Sequence, residues 1–214
     1  MFNSLKFKVI LFGFIFTFFS SFGQSYFLGL FNSSIREALS ITHGQFGSIY
    51  ASATLCSSLL LIWVGKKIDD VNIFKFAFFV TVLLSFACFF FSRITSVFLL
   101  FVAIFLMRFS GQGMMSHTAS TTISRYFTRT RGKALSISWF GLSSAEFIMP
   151  VLMVYLLTII DWQNLWLIFS ITVLIVLPIA SFLLIKNLNL DSREANDENI
   201  KEVEIKQWKR IEVI

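Results

Sequence analysis

"LMRFSGQGMM", residues 106–115, sets a single arginine inside a long apolar run. The nearest charges are Arg93 before it and Arg125 after it. At about 1.5 Å of helix rise per residue, each is roughly 22–25 Å of helix away. What tolerates a permanent positive charge so far from any other, beside a glutamine and two glycines, is decided by the rest of the chain.

That rest reads as membrane-embedded. Of 214 residues, 56% are hydrophobic, 28 are Phe and only 14% are charged, against about 25% charged in soluble domains; the mean hydropathy is +0.77. No Lys, Arg, Asp or Glu falls between Lys8 and Arg36, Glu37 and Lys66, Lys75 and Arg93, or Asp161 and Lys186. Arg93 to Arg125 is interrupted only by Arg108, and Lys133 to Asp161 only by Glu146. A bilayer core takes about 20 apolar residues per helix. The six runs therefore predict an all-α membrane protein with helices over about 9–31, 44–64, 73–92, 96–124, 134–159 and 163–185. Residues 1–186 form one six-helix transmembrane bundle on this reading. Residues 187–214 form a cytoplasmic tail, weakly amphipathic around Ile200, Val203, Trp208 and Ile211, or a linker to a second bundle that lies outside this chain. The first apolar run continues past "SSFGQSYFLGLF" without an A-x-A cleavage site, so it reads as a retained helix rather than a secretory signal.

Orientation follows from the basic residues. Lys6, Lys8, Lys66, Lys67, Lys75, Arg125, Arg129, Arg131, Lys133, Lys186 and Arg193 fall on one set of helix ends, and only Arg36 and Arg93 on the other. The positive-inside rule makes the first set cytoplasmic, with both termini inside. The net charge of +6 is then topogenic and not a nucleic-acid footprint. Trp162 and Trp166 are expected at the outer interface and Trp63 near the inner one. The membrane expected is a bacterial inner membrane. Cys56 and Cys88 fall inside helices 2 and 3, and with no CxxC or Cys/His spacing they read as small apolar fillers, with no metal or cofactor implied.

The helices are not equivalent. Helices 3 and 6 are apolar on nearly every face, as lipid-facing helices are. In helix 1, Thr17, Ser20, Ser21 and Gln24 recur at helical spacing; helix 2 carries Tyr50, Thr54, Ser57 and Ser58. Helix 4 sets Gln112 one turn after Arg108, with Met115 and Thr122 further along that face, and helix 5 has Glu146 three residues after Ser143. Such stripes belong against other helices or a wet cavity. The order polar, polar, apolar occurs twice, which predicts two three-helix repeats of inverted topology. "FGQS" (22–25) and "SGQG" (110–113) are a faint echo of that repeat.

A cavity-facing Arg108 would attract an anion, its guanidinium suited to a carboxylate, with Gln112, Gln24, Thr17 and Ser20 as further substrate-binding candidates. The alternative is a structural arginine satisfied by backbone carbonyls or by Glu146. Glu146 is the candidate proton-coupling site; the alternatives are an ion pair with Arg108 or a bond to Ser143. His117 stands nine residues after Arg108, which at 100° per residue puts it on the opposite face, packed beside Gly113 and Ser120. His43, near the outer start of helix 2, carries no assigned role. Gly111, Gly113 and Gly141, with Ser116, Ser144 and Ala145, read as close-approach positions between helices.

The chain resembles the amino-terminal six-helix half of a major facilitator superfamily transporter. "GKKIDD" (65–70) is similar to the family's loop motif after helix 2: Gly65 and Asp69 match, while Asp70 replaces an arginine and Asn72 a glycine. "RFSGQG" resembles the arginine-glycine motif of helix 4, and "RYFTRTRGKALSIS" (125–138) the basic loop into helix 5. "GLSSAEFIMP" (141–150) resembles the glycine-to-proline motif of helix 5, ending at Pro150. "DWQNLW" (161–166) resembles the aromatic start of helix 6, with Gln163 in place of an arginine. The closest flavour is the branch of monocarboxylate and oxalate-formate carriers. The resemblance implies a secondary transporter working by alternating access, with Glu146 as the candidate for proton coupling and the substrate site shared with a second six-helix bundle. That bundle would be a carboxy-terminal half or a second copy. It also implies a cytoplasmic gate of Gly65, Asp69, Arg125 and Arg131, in which Asp69 and Arg125 pair to hold the outward-open state. A competing reading is a membrane interaction or sensor protein that keeps the fold without the cycle. An enzyme is not expected: the chain has no HExxH, Ser/His/Asp or phosphate-loop pattern.

Overall fold

A computed structural model describes residues 4–186; the expected tail over 187–214 lies outside the described residues. Among them there is no strand. Six helical stretches are long and apolar enough to cross a membrane: span 1 (Leu5–Gly29), span 2 (His43–Asp69), span 3 (Ile73–Phe91), span 4 (Val97–Tyr126), span 5 (Arg131–Leu156) and span 6 (Trp162–Ile185). Their starts carry local signals. The Thr42 hydroxyl accepts from Gln45 N while the Gln45 side chain accepts from Thr42 N, a reciprocal cap that opens span 2. Asn72 and Ser96 cap spans 3 and 4 more simply, Asn72 accepting from Phe74 N and Lys75 N and Ser96 from Leu99 N. The short helix Asn32–Leu39 between spans 1 and 2 ends at Ser40, whose φ of 53° is left-handed and lets the chain turn into the next cap.

Span 1 is the hub, packed against spans 4, 5 and 6; span 2 lies on span 4, and span 3 on spans 4 and 6. Spans 3 and 6 were expected to face lipid all round. Instead each divides into two faces. Val80, Leu84, Ala87 and Cys88 of span 3 and Phe169, Val173 and Leu177 of span 6 are buried, while Phe78, Phe79, Phe86, Ile171 and Ile175 point outward. The scattered serines fall on the inner face and bond across it. Ser85 Oγ donates to Ser170 O at 2.9 Å, and Ser170 Oγ donates to Ser85 O at 2.8 Å.

Trp166 requires a further correction. It is 0% exposed, ringed by Phe22, Phe27, Phe31, Phe91 and Phe169 at centroid distances of 4.5 to 6.3 Å. Trp162 is buried beside it. Two tryptophans expected at an interface build an aromatic plug, because Phe22 and Phe27 of span 1, Phe31 just beyond it, Phe91 of span 3 and Phe169 of span 6 converge on Trp166. Trp63, by contrast, is 71% exposed. The free cysteines divide similarly, Cys88 buried and Cys56 exposed on span 2.

Spans 1 and 4 depart from α geometry where they cross. Ser21–Gly23 is a 3₁₀ turn, Gln24 is extended at φ −80°, ψ 153°, and the helix resumes at Ser25. The polar residues 17–24 are therefore not one helical stripe. In span 4, Arg108–Met115 is π-helical, so its turns take in about one residue more than α turns. The crossing is backbone on backbone. A Cβ added to Gly111 would lie 2.8 Å from Gly23 Cα, and one added to Gly23 would run into Met107 O and Gln112 N. Only glycine fits on either side.

Candidate functional site

The break in span 1 frees backbone carbonyls at membrane depth, where each needs a partner. Arg108 supplies one. Its Nη1 donates to Gly23 O at 3.0 Å and to Ser25 Oγ at 3.2 Å. The guanidinium carbon lies 5.4 Å from the Tyr50 ring centroid, and Tyr50 Oη is bonded to Ser25 Oγ at 2.8 Å. The arginine is 8% exposed. The structural alternative for Arg108 thus describes one edge of the side chain: backbone carbonyl, hydroxyl and aromatic face hold it in place.

The other edge is unassigned. A guanidinium has five donors, and those on Nε and Nη2 have no hydrogen-bond partner among the described residues; Nε is fully buried. Gln112 Oε1 is likewise buried without a partner. Both residues line a cavity of about 130 Å³ with Ser57, Ser58, Leu61 and Gly113. Nε and Nη2 form the side-on fork that takes the two oxygens of a carboxylate. A larger concavity, about 500 Å³, lies beyond the cap of span 2 among Ile41, Thr42, Gln45, Ser48 and Val97. There Thr42 and Gln45 satisfy each other, so no unmet polar demand points to a ligand.

The remaining candidates scatter. Thr17 and Ser20 are fully buried. Thr17 Oγ1 donates to Ser138 O at 2.6 Å, tying span 1 to span 5, and Ser20 Oγ donates to Thr17 O. Neither reaches the Arg108 cavity, because the break in span 1 turns residues 17–20 away from residues 23–25. Gln24 is half-buried within the break. Met115 and Thr122, expected on the Arg108 face, are fully buried; Thr122 Oγ1 bonds to Thr118 O. Glu146 stands exposed on span 5, with neither the Arg108 ion pair nor the Ser143 bond present among the described residues. The short helix Ser25–Gly29 packs on span 5 and brings Tyr26 within electrostatic reach of Glu146. Gly141 meets Phe14 O and Thr17 Oγ1 where a Cβ would stand, whereas the nearest atoms to a Cβ on Gly113 belong to the flexible Leu61 side chain. Pro150 lies inside the span 5 helix, half-buried.

At the far end of span 4, Arg125 Nη2 pairs with Asp69 Oδ1 at 2.5 Å and donates to Ile68 O at 3.1 Å. Arg131 does not join them: its Nε reaches back to Phe127 O. Gly65 is reached by His117, whose Nε2 lies 2.9 Å from Gly65 O. Counting 100° per residue placed His117 opposite Arg108. The extra residue in the π turns brings it round, so both residues face span 2.

A family model described as Major Facilitator Superfamily matches residues 13–212. No curated protein matches the chain.

Proposed function

The chain belongs to the major facilitator superfamily, and from that premise we propose that it is one half of a secondary transporter for a small organic anion, a carboxylate of the monocarboxylate or oxalate-formate kind. The family and the six spans make it a membrane transporter rather than an enzyme. One observation carries the substrate class: Arg108 and Gln112 line one cavity, and Arg108 Nε and Gln112 Oε1 are buried without hydrogen-bond partners among the described residues. A buried cation costs at least ~2.5–3.5 kcal/mol at the centre of a bilayer, and an anionic ligand would offset that cost during part of each cycle.

Glu146 is the coupling residue on this reading. It stands exposed on span 5 without an ion-pair partner among the described residues, and proton and anion would be loaded alternately on spans 5 and 4. The two-repeat architecture is supported by the packing. Exchanging spans 1, 2 and 3 for 4, 5 and 6 maps the 1–5 contact onto 4–2 and the 1–6 contact onto 4–3, and leaves 1–4 and 3–6 unchanged. The reciprocal Ser85–Ser170 bonds join spans 3 and 6, and the Gly23–Gly111 approach joins spans 1 and 4, the two contacts that the exchange leaves unchanged. Both termini are cytoplasmic in this proposal, which puts the Asp69–Arg125 pair at the inner gate.

The test is uptake of radiolabelled lactate, formate and oxalate into proteoliposomes that hold the chain together with its second six-helix bundle, a carboxy-terminal half or a second copy. Wild type should accumulate at least one of them, and Arg108→Lys should lower uptake at limiting substrate by about 10–100-fold, the equivalent of roughly 1.5–3 kcal/mol for a charge-assisted hydrogen bond. Lysine can still reach Gly23 O but offers no fork. Equal uptake by both proteins would remove Arg108 from the substrate site. No uptake of any carboxylate by folded wild type would favour the sensor reading.

A further inference from the structure

We propose that His117 is a positioning residue for the Gly65–Asp69 turn, fastening the end of span 2 to span 4 at a point separate from the Asp69–Arg125 pair. Span 2 passes from α-helix into a 3₁₀ turn at Gly65, and the last carbonyls of a helix lack intrahelical partners. Two of the carbonyls at this end meet side chains of span 4: Gly65 O meets His117 Nε2 at 2.9 Å, and Ile68 O meets Arg125 Nη2 at 3.1 Å. Donors at a helix C-terminus also face the negative end of its dipole. Asp69 follows directly on Ile68, so its side chain is presented to Arg125 by a turn already fastened at Gly65 and Ile68.

A carbonyl oxygen only accepts, so His117 Nε2 carries the hydrogen in this contact. Space does not explain the contact: a Cβ on Gly65 would lie 3.5 Å from His117 Nε2, ordinary van der Waals distance. The π segment does explain it. Without the extra residue between Arg108 and Met115, His117 would face away from span 2.

The fastening stands apart from the transport reading, which bears only on what the turn does once fastened. The chain has 2 histidines, so ¹⁵N-histidine labelling of the full chain in lipid nanodiscs yields two rings, assigned with His43→Gln. His117 should show the Nε2–H tautomer; an Nδ1–H ring would overturn the proposal, and this measurement needs no variant of His117 itself. Hydrogen exchange then tests the fastening. In His117→Leu, amides of residues 66–70 should exchange about 3–10-fold faster, as expected for loss of one hydrogen bond, with spans 3 and 6 unchanged. His117→Gln, which keeps an N–H donor, should restore most of the protection. Unchanged exchange in His117→Leu, equal loss in both variants, or a rise spread over all spans would each overturn the positioning role. None of these outcomes depends on uptake.

Discussion

Two crossings lie in the interior of this bundle, and they solve the same problem in opposite ways. Where spans 3 and 6 cross, both helices stay α, and the Ser85 and Ser170 hydroxyls donate to one another's backbone carbonyls. Where spans 1 and 4 cross, both helices abandon α geometry and the backbones touch at Gly23 and Gly111. The first crossing is closed, since each hydroxyl there is matched. The second leaves Arg108 Nε, Gln112 Oε1 and Ser21 Oγ buried without partners. Buried polar groups are normally paired; Ser138 Oγ and Ser181 Oγ, away from this crossing, are also buried without partners, so what distinguishes Arg108 and Gln112 is that both line one cavity.

The comparison breaks most sharply at Gly23. Gly23→Ala should destabilise the protein by about 1–3 kcal/mol, the usual range for overpacking, because the new methyl meets backbone rather than a movable side chain. Gly29→Ala, with nothing near its Cβ, should stay within about 0.5 kcal/mol of wild type. Thermal unfolding followed by size-exclusion chromatography compares the two; equal midpoints would mean that the backbones do not touch.

Next in size comes the closed crossing. Ser85→Ala removes one cross-span donor and should cost about 1 kcal/mol while leaving uptake per folded molecule unchanged. Arg108→Lys should do the reverse, with a large loss of uptake and a small shift in unfolding. If Ser85→Ala abolished transport at full stability, the division between a structural and a functional crossing would fail. The smallest effect is expected for Asp69→Asn. Its pair with Arg125 is largely open to solvent, with Asp69 70% exposed, and such pairs contribute about 0–1 kcal/mol. Unfolding midpoints should fall slightly, and less at high salt.

The spans were legible because charges inside a bilayer are costly enough to be swept to the ends, leaving apolar runs that a reader can count. Arg108 and Glu146 stood out for the same reason, as the charges that remain. The irregular backbone was not legible. "SSFGQS" has the spacing of a polar helical stripe, and nothing in its composition distinguishes a stripe from a break. The same holds for "RFSGQGMM", where two glycines read as packing positions and gave no sign of the π turns. His117 was misplaced by one assumption, a constant 100° per residue, which the π turns break. Trp166 was misplaced because an aromatic belt and an aromatic plug have the same composition; only the neighbours from spans 1 and 3 distinguish them.

The most direct test places a thiol in the cavity itself. Ser58 lines it, exposed, and Cys88 is fully buried, so Ser58→Cys in a Cys56→Ser background gives one reactive site beside Arg108. Maleimide labelling should slow severalfold in the presence of lactate, formate or oxalate. The corresponding neutral amides should have no effect, and the protection should vanish in Arg108→Lys. Protection by amides as strong as by carboxylates, or protection that survives Arg108→Lys, would contradict the assignment of the open edge of Arg108 to an anionic substrate.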